Sequence, residues 1–390
     1  MIRSLQRDRL TRYGFVLFFV VLTALTALTS GCKSIATQAT GAQTDLVYVG
    51  TQDSRIHALR LDTSTGKLDT IGVVASGTRS TWVTSHPQLP VLYAVDDDNS
   101  REGSVTAYAV NRATGALTKM NAVLAGGTGT TNLLLDTPAT TLLAANYGSG
   151  SVSSIVVQPD GSVGPLVSTV KETGSGPNRR QANAHAHSAV VDPSGRYVLV
   201  PDFGADRVFV YGFDRTTHAL SADDNVHAFT VPPGSGPRHL AFGSNGQFVY
   251  LLTELSAEIV VLRWDASKGR ISLVQTLPVT SESFKGVKSG AEIAVSRDGR
   301  FVYVENRAEN ELVVYRVDGE SGMLSLIQRT SSGGEKPWGF AIDPSGKWML
   351  VANQQSGKVN VFAIDSSSGK LSNTGESADM PTPVAIDFVQ

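Results

Sequence analysis

The stretch IAVSRDGRFVYVENRAENELVVYRVDGESGML, residues 293–324, decides the fold. Ile293-Ala294-Val295 is a short apolar strand, and the Arg297-Asp298-Gly299 that follows is a hairpin signal, because Asp and Gly tolerate positive φ. Phe301-Val302-Tyr303-Val304 and Glu311-Leu312-Val313-Val314-Tyr315 are two further strands with a polar turn between them. Successive side chains of a strand face opposite ways, so these runs read as antiparallel strands with no 3.6-residue helical stripe. Gly322 then opens a second tight turn.

The same unit recurs along the chain. Its clearest copies run Val47 to Leu68, Val83 to Leu117, Leu133 to Val163, Ala189 to Leu220, Leu240 to Ile271, Ile293 to Leu324 and Phe340 to Leu371. The turn glycine returns as Gly66, Gly115, Gly161, Gly269, Gly322 and Gly369, and the fourth copy has His218 in that place. A period of about 50 residues made of short strands marks a repeat of four-stranded sheets. Such a sheet hides both faces only when stacked on neighbours, and a closed ring protects its edges. The predicted fold is all-β, a seven-bladed β-propeller. The last strand, Pro383-Val384-Ala385-Ile386-Asp387-Phe388-Val389, has no hairpin after it. It is expected to complete the first blade, whose N-terminal part begins at Leu46, so that N- and C-terminal strands close the ring in one blade.

Composition agrees. The chain has 390 residues, of which 17% are charged and 38 are Gly. A low charged share with abundant glycine suits many tight turns. A net charge of -2 offers no basic surface for phosphates, so no nucleic-acid partner is expected. The single cysteine, Cys32, excludes an internal disulfide and a thiolate zinc cluster. Arg3, Arg7, Arg9 and Arg12 precede an apolar run from Phe15 to Leu28, the pattern of a signal peptide. Thr29-Ser30-Gly31-Cys32 then resembles a lipobox, which implies lipidation at Cys32, and Lys33-Ser34 carries no inner-membrane retention Asp. The expected organisation is a lipoprotein-type signal peptide over 1–32, a flexible tether over 33–44 and the propeller over 45–390. This describes an exported, periplasmic or cell-envelope lipoprotein, anchored in the outer membrane, monomeric, and touching the membrane only through its lipid.

Chemistry has few places to sit. The chain holds no Gly-x-Ser-x-Gly elbow, no Walker loop and no dinucleotide fingerprint. Polar residues do break the apolar code near the blade starts. Three similar loops, Gly174-Ser175-Gly176-Pro177, Gly234 to His239 and Gly333 to Trp338, are expected to enter innermost strands at the mouth of the channel. His185-Ala186-His187 follows the first, and alternation puts both imidazoles on one face. No third histidine ligand lies nearby, so no metal and no cofactor is expected. Arg238 follows a Gly-Pro turn, Glu254 interrupts the apolar strand Val249 to Leu255, and Arg307 stands in a turn after Phe301 to Val304.

At these residues the sequence resembles the propeller-type lactonase family, which includes bacterial 6-phosphogluconolactonases and fungal enzymes that lactonise carboxymuconate. The strings that carry the resemblance are Ala145-Asn146-Tyr147-Gly148, His187-Ser188-Ala189, Gly236-Pro237-Arg238-His239, Thr253-Glu254-Leu255, Asn306-Arg307 and Ala352-Asn353-Gln354, and it covers nearly all of 46–390. The resemblance implies hydrolysis of a small lactone, with His187, Glu254 and Arg238 catalytic. Arg307, His185, Tyr147, His239 and Asn353 are expected to bind the substrate, a lactone or carboxylate. His187 is favoured as base or acid, with Glu254 orienting the arginines or the water. Two departures stand out. Glu305-Asn306-Arg307-Ala308-Glu309 replaces the family's Ser-Asn-Arg turn and Gly-His pair, and Pro337-Trp338 replaces Pro-Arg. Losing that cation and gaining Glu305 argues against a phosphorylated substrate. The alternatives are a non-enzymatic binding propeller and muconate-type ring closure, in which arginines grip carboxylates.

Overall fold

The computed structural model describes residues 44–221 and 227–389. The expected signal peptide, Cys32 and all of the tether but Thr44 lie outside these residues. Thr44 itself opens the first strand, Thr44–Thr51, two residues ahead of Leu46.

The described residues form seven antiparallel sheets and no helix. In the first blade the order is Pro383–Val389, Thr44–Thr51, Arg55–Asp62 and Leu68–Ser76. The C-terminal strand is therefore its innermost member, with Val47 opposite Phe388 and Tyr48 opposite Asp387. This is the closure expected from the orphan strand. Blades five, six and seven start from the inner strands Pro237–Phe242, Gly290–Val295 and Pro337–Ile342. Blade four departs from the pattern. Its inner strand is only Val190–Val191, preceded by a single bridge from Ala186 to Asp202, and its edge is split between Ala219–Ser221 and His227–Thr230.

The core lies between blades. Second strands such as Thr141–Asn146 and Phe301–Asn306 are buried along their whole length, because both faces meet a neighbouring sheet. Phe248, Tyr250 and Leu252 of blade five pack with Val302, Val304 and Tyr315 of blade six. At the seam, Leu350 and Val361 of blade seven pack with Val47, Leu59 and Phe388 of blade one. Each fully buried side chain of this size contributes about 1.5–3 kcal/mol, so the seam is held by a continuous apolar core.

The hairpin glycines have a second duty here. A Cβ on Gly322 would meet the Phe248 ring, one on Gly369 the Phe301 ring, and one on Gly66 the Trp348 ring. In each case the ring belongs to the first residue of the preceding blade's second strand. In blade four the corresponding residue of blade three is Thr141, which is small. His218 occupies the space at φ 60° and its Nδ1 lies 2.8 Å from Thr141 Oγ1. The apparent exception in the repeat thus follows from a smaller neighbour.

Candidate active site

Two loops that enter inner strands are held by one carboxylate. Asp206 accepts the backbone N–H of Gly234 at 2.7 Å and of Gly236 at 2.8 Å, and the Gln181 amide at 2.8 Å. Gly236 has φ 63°, and a side chain there would press on Leu255 and Phe203. Its carbonyl accepts the Glu254 N–H at 2.7 Å, while the Glu254 carbonyl accepts Gly290 N–H at 3.0 Å. The backbone of Glu254 therefore ties the inner strand of blade five to that of blade six.

Its side chain collects cations. Arg180 Nη1 lies 2.6 Å from Glu254 Oε1 and Arg307 Nη2 lies 3.1 Å from the same oxygen. Arg238 Nε is 3.3 Å from Oε2 and His187 Nε2 is 3.9 Å from it. Burial alone would raise the Glu254 pKa, but Arg307, Arg238 and Arg180 outweigh it and hold the carboxylate below its usual range. Three guanidiniums on one carboxylate leave net positive charge in a site of low dielectric. Each is also fixed elsewhere. The Arg238 guanidinium donates to the Ala291 carbonyl, Arg307 Nε donates to Ser289 Oγ at 2.9 Å, and Arg180 lies 4.5 Å above the Phe203 ring.

The imidazoles line up beside this cluster. Tyr147 stacks on His185 at 4.5 Å and meets His187 edge-on at 5.5 Å, so both histidines do share a face. His187 in turn meets His239 at 5.1 Å. Burial, then the charges of Arg238, His239 and Arg307, push the His187 pKa well below its ordinary value. The ring is neutral at pH 7, and its Nδ1 has no partner among the described residues.

A cavity of about 120 Å³ opens against these groups. His187, Arg238 and His239 form one side of it. Trp82, Arg79, Thr81 and Asp97 of blade two, Trp338 of blade seven, Thr131, and Gln52 with Val384 of blade one complete it. Arg307 lies 4.3 Å over the Trp338 ring, which links the Glu254 cluster to the aromatic wall. Near Arg238 and Arg307 the Glu305 side chain is fully buried, and both its oxygens lack a hydrogen-bond partner among the described residues. Burial, reinforced by the charge of Glu292, pushes its pKa well above the carboxylate range and favours the protonated form.

The structure thus brings together His187, Arg238, Glu254, Arg307, His185, Tyr147 and His239. It does not bring Asn353 to them. The Asn353 amide is buried at the junction of blades six and seven, where Nδ2 donates to the Ser332 carbonyl at 2.9 Å and Oδ1 accepts from Ser332 Oγ at 2.7 Å. Asn146 of blade three does the same, donating to the Ala125 carbonyl in the outer strand of blade two, Leu117–Thr128, at 3.1 Å. The structure gives Asn353 a bracing contact in place of a cavity position: it ties the end of blade six's outer strand, Leu324–Ser331, to the second strand of blade seven. Sequence reasoning also missed Arg180, Glu292, Trp82 and Arg79. Arg180 was visible only as a basic pair after a Gly-Ser-Gly-Pro loop, and Glu292 as a carboxylate inside an apolar inner strand.

Known proteins share this architecture. The chain is 32% identical over 346 residues to a 6-phosphogluconolactonase of Bacillus subtilis, covering 88% of this chain and 97% of that protein. A 6-phosphogluconolactonase of Formosa agariphila is 30% identical, over 74% of this chain and 82% of its own length. The solved structure of a periplasmic gluconolactonase from Pseudomonas aeruginosa superposes with a TM-score of 0.83 at 33% identity, covering 89% of this chain and 99% of that one. The family described as Lactonase, 7-bladed beta-propeller, matches residues 46–388. With the seven blades and the Arg/Glu/His cluster, that match places this chain in the family of seven-bladed β-propeller lactonases.

Proposed function

We propose that this lactonase hydrolyses an unphosphorylated sugar lactone at the mouth of the propeller's central channel. The observation that carries the reading is the buried Glu254 carboxylate, gripped by three guanidiniums beside two imidazoles on a cavity wall. Attack of water on the lactone carbonyl builds negative charge on oxygen, and a preorganised positive site stabilises that charge more in the transition state than in the substrate. Arg238 borders the cavity and supplies this field, with Arg307 behind it. Glu254 is ionised and held by arginines, so it is a weak base, and its part is to fix the guanidiniums in place. An imidazole of the wall takes the proton of the attacking water and returns it to the ring oxygen as the ester opens.

The aromatic walls speak for an unphosphorylated substrate. Trp82 and Trp338 line the cavity with apolar ring surface suited to a sugar, and Asp97 lies beside Arg79, the remaining cation of the lining. The gluconolactonase of Pseudomonas aeruginosa, named for an unphosphorylated lactone, supports the same choice. Ring closure of a diacid would need arginines free to grip two carboxylates, and three of these are committed to Glu254.

Export is part of this reading. The basic, apolar and Cys32 pattern of the N-terminus fits a lipid-anchored envelope enzyme, which would meet free sugar lactones and not the sugar phosphates of the cytosol. Incorporation of labelled palmitate into the wild type and its loss in Cys32→Ala tests the anchor. The activity is tested by acid release from glucono-δ-lactone, 6-phosphoglucono-δ-lactone and an aromatic lactone. Turnover of the first well above the second supports the reading, and preference for the phosphorylated ring overturns it.

A further inference from the structure

A second carboxylate–imidazole contact lies on the cavity wall. His239 belongs to the inner strand of blade five and Glu292 to the inner strand of blade six. His239 Nδ1 and Glu292 Oε1 are 2.7 Å apart, and both side chains are buried. The same oxygen accepts the Ile293 N–H at 3.0 Å, which fixes the carboxylate. The imidazole is held edge-on by Trp82 at 5.4 Å and by His187 at 5.1 Å. Its Nε2 is buried without a partner, although the residue borders the cavity.

An ionised carboxylate only accepts hydrogen bonds, so Nδ1 carries the hydrogen and Nε2 keeps its lone pair. That lone pair is buried and unpartnered among the described residues, on a side chain that borders the cavity, so a modest opening of the wall brings it to water or ligand. Carboxylate, imidazole and free Nε2 reproduce the orienting half of a hydrolytic triad, in which the acid fixes the tautomer and stabilises the imidazolium. His187 lacks such support. Its closest carboxylate oxygen is 3.9 Å away, beyond hydrogen-bond reach, and Arg238 and Arg307 oppose any charge on it. Burial lowers the His239 pKa too, and Arg238 adds to that shift, but Glu292 and Glu254 work against it and favour the charged ring.

We propose that His239 is the general base and acid of lactone hydrolysis and that Glu292 is its positioning residue. This rests on the lactone-hydrolysis reading and names the proton carrier within it. Water oxygen bonds to the carbonyl carbon while His239 Nε2 takes one water proton, and the carbonyl electron pair moves onto oxygen beside Arg238. Collapse of that oxyanion breaks the bond to the ring oxygen, which receives the proton back from Nε2. The products are the open hydroxy acid and a neutral imidazole, so protons and electrons balance. His187 then contacts substrate or water without carrying the proton.

The test compares wild type, His239→Gln, His187→Gln, Glu292→Gln and Glu292→Asp on glucono-δ-lactone across pH. His239→Gln is expected to lower kcat by about 10²–10⁴-fold with little change in KM. Glu292→Gln is expected to lower kcat and move the acid limb of the pH profile to lower pH, because the imidazolium loses its counter-charge; Glu292→Asp restores part of both. Nitrogen-15 spectra of the wild type should show one Nδ1–H imidazole whose downfield proton disappears in Glu292→Gln. A His239→Gln enzyme that keeps kcat within about threefold while His187→Gln is inactive overturns the dyad and leaves the lactonase reading standing. A wild type that opens no lactone overturns both.

Discussion

Replacing Glu254 by Gln removes one charge and leaves three guanidiniums facing one another. Deleting one partner of a buried ion pair costs about 3–5 kcal/mol, because the other charge stays desolvated. Arg238 and Arg307 are almost fully buried and carry that cost, whereas the Arg180 side chain is 46% exposed and can turn to solvent, so its share is discounted. An unfolding entropy of about 2.1 cal/mol/K per residue, over roughly 340 residues, is about 0.7 kcal/mol/K, so the expected fall in Tm is about 4–7 °C. Turnover should fall more steeply. Guanidiniums that splay by about 1 Å lose roughly 10²-fold, and a lost preorganised donor costs about 10²–10³-fold in kcat. The pH dependence has a definite sign. The Glu254 pKa is depressed in the folded protein, so its stabilisation is present above the unfolded value near 4.5 and is lost as pH falls through the lower folded value. Scanning calorimetry at pH 7 and pH 3, with acid release from glucono-δ-lactone, reads all three quantities. A Tm gap that stays below about 1 °C at pH 7, or that widens on acidification, refutes the ion cluster as described.

Asn353→Ala should cost about 1–3 kcal/mol, by orphaning buried groups at the junction of blades six and seven, while kcat stays within about threefold; a large loss of activity at unchanged Tm would restore Asn353 to the substrate site. Burial raises the Asp387 pKa to about 6, against the opposing hydrogen bonds from Ser85. The folded protein thus holds this proton up to about pH 6 while the unfolded chain releases it near 3.8, so stability falls as pH rises through that window. Asp387→Asn should flatten the Tm curve between these values, and an unaltered curve would place the proton elsewhere. Trp338→Arg removes a cation–π contact of about 1–2 kcal/mol from Arg307 and adds a cation to the cavity rim. It should shift the kcat/KM ratio toward phosphorylated lactones by about tenfold or more, and an unchanged ratio would deny Trp338 a part in specificity.

The sequence carried the fold because its signals are local and repeated. A hairpin glycine and an alternating strand can be read within a few residues, and the same pattern seven times over leaves one architecture. Even His218 becomes legible once Thr141 is seen beside it. His187, Arg238, Glu254 and Arg307 were legible as polar breaks in apolar runs. Arg180 was not, because its approach to Glu254 is set by Asp206, which gathers two loops from different blades. The His239–Glu292 contact was hidden for the same reason, since its partners are 53 residues apart and meet only across an inter-blade interface. Asn353 misled in the opposite direction. A polar residue at the end of a buried strand looks like a site until the end of the preceding blade is seen to satisfy it.

The most direct test of the account is a crystal structure of the wild type at saturating gluconate, the hydroxy acid that ring opening would release. The account predicts the acid in the cavity bordered by Trp82, Trp338, His187 and His239, with its carboxylate at hydrogen-bond distance from Arg238 and a hydroxyl on His239 Nε2. Gluconate bound instead in the separate cavity of Ser85, His86, Arg297 and Asp343, with the first cavity holding only water, would contradict it.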